Sequence, residues 1–424
     1  MSRHPVSQDH WRTLDDPQAQ PAAVDAAARE AGADPDDVRR AAGLTSWLVR
    51  RATLDGSTAL PAPALARALA GYGFRDPVPG VRLADDQARI VALPEERLAA
   101  PVDVAAHEET VADELARLLD GGMQDQVRIV LDVGPASTRR WVEDLERQVE
   151  TAGGRLARAV AERAAASAGV LASADVAVID GAHRLTLADA ATVLTRLGDQ
   201  QRLVLVGDPD AVMASAPGRL LADVVDSGVV PVVRIAPDSS GTGPLVDLLG
   251  ALRRGELPRV DPEQREVVVV PVQDPVQVVS RTRQLVETSI PRAFALDPAS
   301  IAVLTVRADG DLGSDAFARV LAGSDVQVCT VAQLAGRRHD AIVLVVAHEA
   351  APALTRSTLV SAAAAARRHL SIVHQAGPAL AAAVAGRPHA PRLTRLRGLL
   401  REAVLGPDDV EPVGGSDETW QAGR

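Results

Sequence analysis

The stretch VAVIDGAHRL at residues 176–185, followed by RLVLVGDPD at 202–210, decides the class of fold. Each segment opens with a run of apolar residues that leads into a carboxylate, Asp180 in the first and Asp208 in the second. Continuous apolar runs of this length are typical of strands buried on both faces of a parallel sheet. Because the helix-forming segment TLADAATVLTRLG lies between them, the stretch predicts a strand–helix–strand unit of an α/β domain.

The same alternation continues on both sides of this stretch. It runs from QVRIVLD to VVPVVRI, and resumes beyond a Ser/Gly/Pro-rich linker with EVVVVPV, AIVLVVA and HLSIVH. Two tandem α/β units with parallel sheets are therefore predicted, at 123–236 and 237–405. Residues 1–122 contain small helices and a short strand, ARIVALP, which is the outline of a helical, winged-helix-like N-terminal domain. The acidic tail at 406–424 is predicted to be disordered.

Composition sets limits on the core and on the compartment. Hydrophobic residues make up 47% of the 424 residues but aromatic residues only 2%, so the core has to be built from Ala, Val and Leu. Cys329 is the single cysteine, which excludes an internal disulfide and is typical of a reducing compartment. The N-terminus has no apolar signal region, and no run of 18 uncharged apolar residues occurs. We therefore expect a cytoplasmic protein that does not contact a membrane.

The charges restrict the chemistry and the partners. All 45 basic residues are arginine, which codon bias in a GC-rich genome explains, and chemistry that needs a lysine is excluded. The formal net charge of −11 opposes general attraction to nucleic-acid backbones. DNA contact would need a local arginine patch in the N-terminal domain, and the alternative is a solvated basic helix face. The candidates for such a patch are Arg39, Arg40, Arg50, Arg51 and Arg75.

The tandem units with VLVGDPD after the VID strand resemble the RecD-like family of superfamily 1 DNA helicases. The resemblance covers roughly residues 40–400 and includes stretches without a chemical role, among them VVDSGVVPVVR, RRGELP, IPRAFALDP and ARRHLSIVH. It implies two RecA-like domains of the P-loop NTPase type, with ATP and Mg²⁺ held between them. It also implies a small β-barrel insertion in the second domain, for which the chain has no room between SDAFARVLAG and DVQVCTV.

The first ATP-binding element of that family is a strand followed by a GxxxxGK[ST] loop, whose lysine and hydroxyl hold phosphate and Mg²⁺. Here Thr138 stands in the place of the last glycine, Arg139 in that of the lysine and Arg140 in that of the hydroxyl. A β-branched residue resists the backbone conformation that glycine supplies, and the planar guanidinium does not replace a compact ammonium. We interpret the segment as a plain strand–turn–helix with a vestigial nucleotide loop at Gly134, Pro135, Ser137, Thr138, Arg139 and Arg140.

The acids and sensors of the resemblance are also incomplete. Asp180 is kept, but Gly181 stands where the second acid would polarise water. His183 has the wrong spacing for a substitute base and is predicted to lie in a solvent-exposed loop. Asp208 is predicted to be a turn cap, and Ala211 replaces the glutamine that senses the γ-phosphate.

The second unit has lost its share of the site as well. In TVAQLAGRRHD, Ala332 and Ala335 take the places of a histidine and a glutamine. In VSAAAAARRHL, Ala365 takes the place of the arginine that reaches the γ-phosphate, and Arg367 and Arg368 follow it downstream. The working side chains are gone while the apolar pattern between them is intact, which indicates selection for the fold without turnover.

These observations predict a catalytically inactive, RecD-like pseudo-helicase that acts as a structural or regulatory subunit in a DNA-related or multi-protein assembly. It would bind an unidentified protein partner and would need no cofactor and no metal. Two alternatives stay open. One is a DNA-binding module without a motor, and the other is a divergent ATP-dependent helicase that uses Arg139, Asp180, ATP and Mg²⁺.

Overall fold

The computed structural model describes residues 9–120, 126–131, 135–235, 243–261, 263–334, 336–386 and 388–406. Within these ranges no helix combines the length and the apolar character that crossing a membrane requires. The predicted tail lies, from residue 407 onward, outside the described residues. The chain forms a small N-terminal domain and two α/β domains.

The N-terminal domain has the strand and helix order of a winged helix. Its three strands form an antiparallel sheet in the order β1-β3-β2, and α3 and α4 lie between β1 and β2 in the chain. Trp11, Leu44 and Leu69 are almost completely buried in its core. The elements are α1 (Pro21–Glu30), α2 (Val38–Leu54), β1 (Leu60–Pro61), α3 (Ala62–Gly71), α4 (Val78–Asp86), β2 (Val91–Leu93) and β3 (Leu98–Ala100).

The first α/β domain is a five-stranded parallel sheet in the order β5-β6-β7-β4-β8. Numbered from the first strand of the domain, this order is 2-3-4-1-5, which is that of RecA-like domains. The elements are α5 (Val102–Asp120), β4 (Val127–Leu131), α6 (Pro135–Thr151), β5 (Leu156–Val160), α7 (Ala168–Leu171), β6 (Val176–Asp180), α8 (Leu187–Leu194), β7 (Arg202–Gly207), α9 (Leu220–Ser227) and β8 (Val232–Arg234).

Both faces of this sheet are covered, as the apolar runs predict. Ile129 and Ile179 point into a core shared with α5, α8 and α9. Val130, which follows Ile129, and Val178, which precedes Ile179, point to the opposite face of the sheet. They lie in a second core shared with α6. This alternation between two apolar layers is why the strands read as continuous apolar runs.

The second α/β domain is also a five-stranded parallel sheet, in the order β11-β10-β12-β13-β9. Residues 321–326 alone connect α13 to β11, where the resemblance implies an insertion. The elements are α10 (Pro244–Arg253), β9 (Val267–Pro271), α11 (Pro275–Gln284), α12 (Ile290–Phe294), β10 (Ile301–Thr305), α13 (Ser314–Val320), β11 (Gln327–Thr330), β12 (His339–Val346), α14 (Arg356–Ala365), β13 (Ala366–His374) and α15 (Pro378–Ala385).

The C-terminal helix α16 (Leu396–Leu405) packs on the first α/β domain, although the predicted boundary of 237–405 assigns it to the second. Leu396 and Leu400 are completely buried in the core that contains α5 and α9. Fully burying a leucine side chain contributes about 1.5–3 kcal/mol. The helix therefore belongs energetically to the first domain, and the chain visits that domain twice.

Candidate functional site between the two α/β domains

The segment aligned with the phosphate loop is already helical where the loop should continue. Residues 132–134 alone separate β4 from α6, and α6 begins at Pro135, three residues before the glycine position Thr138. Proline is favoured at the first helical position because its φ is preset for the helix. Ser137 and Thr138 are buried, whereas the side chains of Arg139 and Arg140 are exposed. Gly134 lies outside the described residues.

The carboxylate that would hold Mg²⁺ is paired with an arginine. Asp180, the last residue of β6, accepts hydrogen bonds from Nε of Arg158 and, at 3.0 Å, from Nη2 of the same residue. Arg158 lies on the neighbouring strand β5 opposite Val178, two residues before Asp180. Both side chains therefore project from the same face of the sheet. Pairing with Asp180 raises the pKa of Arg158, and this cation occupies the carboxylate that the resemblance assigns to Mg²⁺.

An arginine also lies beside the missing second acid. Gly181 has a left-handed backbone with φ of 69°. A Cβ atom there would lie 2.5 Å from Nη2 of Arg184, and a Cβ atom at Gly336 in the second domain would lie 2.7 Å from the same atom. The guanidinium also pairs with Glu162. Arg184 thus takes up space next to Gly181 and contacts the second α/β domain.

His183 is partly buried, so the prediction of a solvent-exposed loop histidine is wrong. Its Nδ1 accepts a hydrogen bond of 3.2 Å from the backbone N–H of Asp208, and its Nε2 lies 3.0 Å from Nη1 of Arg184. Burial lowers the pKa of His183 to about 3, and the charge of Arg184 adds to this effect. The imidazole is therefore neutral and connects the loops that follow β6 and β7.

Asp208 caps its turn and also crosses to the other domain. Its Oδ1 accepts a hydrogen bond of 2.9 Å from the N–H of Asp210, which is the geometry of an Asx turn. Its Oδ2 is paired with Arg253, the last residue of α10 in the second α/β domain. Asp208 is 7% exposed and Ala211, in the place of the γ-phosphate sensor, is also buried.

The second domain contributes short apolar side chains at the positions singled out in its sequence. Ala365 is the last residue of α14 and is buried in the domain core. Ala332 begins a short 3₁₀ turn, and Ala335 lies outside the described residues. Arg367 pairs with Asp340 at 3.6 Å, and Arg368 donates to the carbonyl of Phe294 at 3.0 Å. Both arginines lie at the start of β13.

The arginines proposed for DNA contact do not share one environment. Arg40 is buried, pairs with Asp25 at 2.6 Å and lies over the ring of Phe74, which removes it from the set of DNA-contacting candidates. Arg39 pairs with Asp37 and Arg50 with Asp103. Arg51 and Arg75 are exposed, on α2 and in the turn before α4.

The helix that a winged-helix protein places in the DNA groove is acidic here. α4 is the second helix of the helix–turn–helix pair, which is the recognition helix in DNA-binding members of this class. Arg82 is its only basic residue, and Asp85 and Asp86 are exposed at its end. Asp76 is exposed just before it. The net charge of this surface opposes contact with phosphates.

The described residues show no cluster of three or more histidine, cysteine or carboxylate groups that could hold a metal. Two small cavities have volumes of about 10 Å³ each, which is room for one water. One lies at the carboxyl ends of β10 and β12 in the second domain and is lined by Arg307, Asp309 and Glu349, among others. The other lies inside the apolar core of the first domain.

Comparisons with known proteins find only distant structural similarity. Neither a protein-family model nor a curated protein sequence matches it. The arterivirus nonstructural protein 10, a helicase, aligns with 16% identity over 65% of this chain and 65% of that chain, with a TM-score of 0.31. Its complex with DNA aligns with 16% identity over 68% and 69% of the two chains, with a TM-score of 0.33. TM-scores of this size do not establish a common fold.

The residues that sequence reasoning missed are arginines that lie in or next to the cleft, namely Arg158, Arg184 and Arg253. The sequence contains a weak indication of the pairing of Arg158. Side chains two residues apart on a strand point to the same face of the sheet, so an arginine on the strand next to VAVID can reach the carboxylate at its end. Arg184 and Arg253 act across a domain boundary, and neither their spacing nor their neighbours in sequence predicts that contact.

Proposed function

We propose that this chain is a catalytically inactive, RecD-like pseudo-helicase that serves as a structural or regulatory subunit by binding a protein partner. The observation that carries the proposal is the ion pair between Asp180 and Arg158, in which both carboxylate oxygens accept hydrogen bonds from one guanidinium. Such bidentate pairs are among the strongest charge-assisted hydrogen bonds. A Mg²⁺ ion at Asp180 would have to displace the guanidinium of Arg158.

The other changes support the same proposal. A triphosphate needs a cation at its β- and γ-phosphates and an acid that orients the attacking water. Arg139 is exposed on α6, and Gly181 has no side chain. Arg184 and Arg253 bring further positive charge to the cleft, but Glu162 and Asp208 neutralise them. What is left is a pair of α/β domains whose surfaces suit binding without turnover.

The direct test measures ATP hydrolysis and the thermal unfolding midpoint of the purified chain with and without Mg²⁺ and ATP. We expect hydrolysis at the background rate and no nucleotide-dependent shift of the midpoint. A ligand at 100 times its Kd would add about 2.7 kcal/mol to the free energy of unfolding, which such a measurement detects. Arg158→Ala frees Asp180 and is still expected to be inactive, because the lysine and the second acid remain absent. Turnover above background that is lost in Asp180→Ala would sink the proposal.

The partner is sought by cross-linking in cells followed by reconstitution from purified components. We expect a stable complex whose affinity is the same with and without ATP, because the binding surface does not depend on nucleotide. An affinity that rises with ATP would contradict this expectation and would favour a divergent, working motor.

A second candidate function is DNA binding without a motor, and the winged-helix order of the N-terminal domain favours it. Arg51 and Arg75 are its exposed candidate contacts. Binding through phosphates weakens steeply with salt, with a slope that reports the number of contacts. Binding of duplex DNA that is salt-dependent and weakens in Arg51→Ala and Arg75→Ala would support this candidate over the first.

A further inference from the structure

The loop that follows β7, residues 208–218, is held by the second α/β domain. We call it the bridging loop. Asp208 pairs with Arg253 of α10, and the N–H of Val212 donates a hydrogen bond of 2.8 Å to Oγ of Ser361 on α14. The side chain of Val212 packs against the core of the second domain. Beyond α15, Nε2 of His389 lies 2.6 Å from the carbonyl oxygen of Pro209.

A second segment, residues 388–395, which we call the strap, connects the second α/β domain to α16 and holds the same loop. The guanidinium of Arg392 donates to three carbonyl oxygens of the bridging loop, those of Ala214 at 3.0 Å, Ala216 at 3.3 Å and Gly218 at 2.6 Å. Burial lowers the pKa of Arg392. Its donors are thus directed at one loop, and the loop is folded around the guanidinium.

The strap and the bridging loop also reach the N-terminal domain. The N–H of Gly218 donates to the carbonyl oxygen of Gly56 at 2.8 Å, and Arg392 lies directly against Gly56, where a Cβ atom would collide with it. The N–H of Leu393 donates to Oγ of Ser57 at 3.1 Å, and its carbonyl accepts from the N–H of Thr58 at 2.8 Å. Arg392 therefore lies between the bridging loop and the N-terminal domain, and the bridging loop in turn contacts the second α/β domain.

The end of the strap is anchored on the helix that links the N-terminal domain to the first α/β domain. Oε1 of the buried Glu108 on α5 accepts from the N–H groups of Arg395 and Leu396 at 2.8 and 3.1 Å, which caps α16. The side chain of Arg395 is 3% exposed and pairs with Glu96 at 3.0 Å and Glu109 at 3.2 Å. The strap thus has an anchor at its far end that is independent of the bridging loop.

From this geometry we infer that the strap and the bridging loop form an internal clasp, which holds the two α/β domains and the N-terminal domain in one fixed arrangement without a nucleotide. A motor that closes on ATP needs domains that separate when the nucleotide leaves. Here the guanidinium groups of Arg253 and Arg392 supply cross-links from within the chain. The inference rests on these contacts, and ATP hydrolysis by the chain would overturn the proposed function while leaving the clasp to be tested separately.

Hydrogen–deuterium exchange on the full chain tests the clasp. Arg392→Ala removes the central cross-link, and Arg397→Ala on the exposed face of α16 is the matched control. We expect amides of 208–218 and 388–395 to exchange at least about tenfold faster in Arg392→Ala, because hydrogen bonds to a charged group are lost and local opening becomes easier. The strands β4 and β12 are expected to keep their protection, which shows that both sheets remain folded.

A milder pair of variants covers the case in which Arg392→Ala does not fold. Asp208→Asn keeps the size of the side chain but removes the charge that pairs with Arg253, and Arg254→Ala removes the neighbouring exposed arginine as a control. Faster exchange of the bridging loop in Asp208→Asn alone supports the clasp. Equal exchange in all variants, or unprotected amides in the wild-type loop, would overturn it.

The distance between the two α/β domains provides an independent readout. Spin labels at Glu146→Cys on α6 and Gln277→Cys on α11, both exposed, are introduced with the native cysteine replaced by Cys329→Ser. We expect one narrow distance distribution that Mg²⁺ and ATP do not shift, and a broader one in Arg392→Ala. A wild-type distribution that is broad, or that shifts with nucleotide, refutes a fixed arrangement.

Discussion

At the scale of single residues, the space beside Asp180 is kept open for a guanidinium. Gly181 combines a positive φ of 69° with the contact to Arg184, whereas Gly153 has a φ of 79° and nothing within 4 Å of an added Cβ atom. Gly153→Ala is therefore expected to cost only the left-handed backbone, about 1 kcal/mol. Gly181→Ala is expected to cost more only by what the guanidinium of Arg184, the end of a flexible side chain, loses when it shifts away from Glu162, about 1 kcal/mol at most.

Urea unfolding of both glycine variants measures this difference. Loss of the contact between Arg184 and Glu162 in Gly181→Ala would appear as a changed response to a second substitution at Glu162, which a double-mutant cycle isolates. Equal destabilisation by the two glycine variants would show that Arg184 adapts without cost and that the glycine matters for its backbone alone.

Glu108 makes stability depend on pH. Burial raises its pKa from 4.5 to about 7, although the N–H groups of α16 and the hydroxyl of Thr58 favour the charged form. Since the folded-state pKa is the higher one, the native chain binds more protons than the unfolded chain between these values. The contribution of Glu108 is therefore fully present below about pH 4.5 and is lost as pH rises through about 7.

Glu108→Gln keeps an acceptor for the cap of α16 and removes the ionisation. We expect the free energy of unfolding of this variant to fall less between pH 5 and pH 8 than that of the wild type, by about 3 kcal/mol at most. Urea titrations at several pH values measure this, with Glu150→Gln on an exposed site as the control for loss of one carboxylate. An unchanged pH dependence in Glu108→Gln would show that other groups dominate.

At the scale of elements, α16 is the segment whose place in the fold has the largest effect on domain organisation. Leu400 is completely buried against the first α/β domain, and Val404 on the same helix is 36% exposed. Leu400→Ala is expected to lower the free energy of unfolding by about 2–5 kcal/mol through lost burial and a cavity. Val404→Ala is expected to stay within about 0.5 kcal/mol, since it creates no cavity.

Urea unfolding of the full chain measures the loss of stability in the two variants. Hydrogen–deuterium exchange of β4 and β7 shows which domain α16 stabilises. If α16 packed on the second domain, as the sequence boundary at 405 predicts, Leu400→Ala would leave exchange protection of β4 and β7 unchanged. With the packing that the structure shows, protection of these strands decreases in Leu400→Ala and does not change in Val404→Ala.

The sequence predicts elements better than it predicts their partners. Apolar runs such as VAVID indicate buried parallel strands because both faces of such a sheet are covered by helices, so that every side chain of the strand meets an apolar layer. The same amphipathic pattern in α16 fits either sheet, so periodicity cannot choose between them. The burial of His183 and the pairing of Asp208 with Arg253 depend on contacts far apart in the chain. The identity of the side chains at the cleft could be read directly, while their cross-links could not.

At the scale of the whole molecule, charge decides whether the winged-helix domain can approach DNA. The net charge of −11 and the acidic end of α4 act in the same direction. We therefore predict that the double variant Asp85→Arg, Asp86→Arg gains salt-dependent affinity for duplex DNA that the wild type lacks. Log affinity falls as log salt rises, and each new phosphate contact makes this slope steeper by about 0.9.

A control with the same change in net charge separates this local effect from a general one. Glu150→Arg with Asp315→Arg alters two exposed acids on the two α/β domains. Fluorescence anisotropy with a labelled duplex at several salt concentrations is the measurement. If α4 is the surface that repels DNA, only the variant on α4 gains affinity, because phosphate contacts need cations placed along one helix rather than spread over the surface. Equal gains in both variants would attribute the repulsion to net charge alone. If the wild type binds DNA as tightly as the α4 variant does, α4 does not repel DNA and the N-terminal domain is a DNA-binding module.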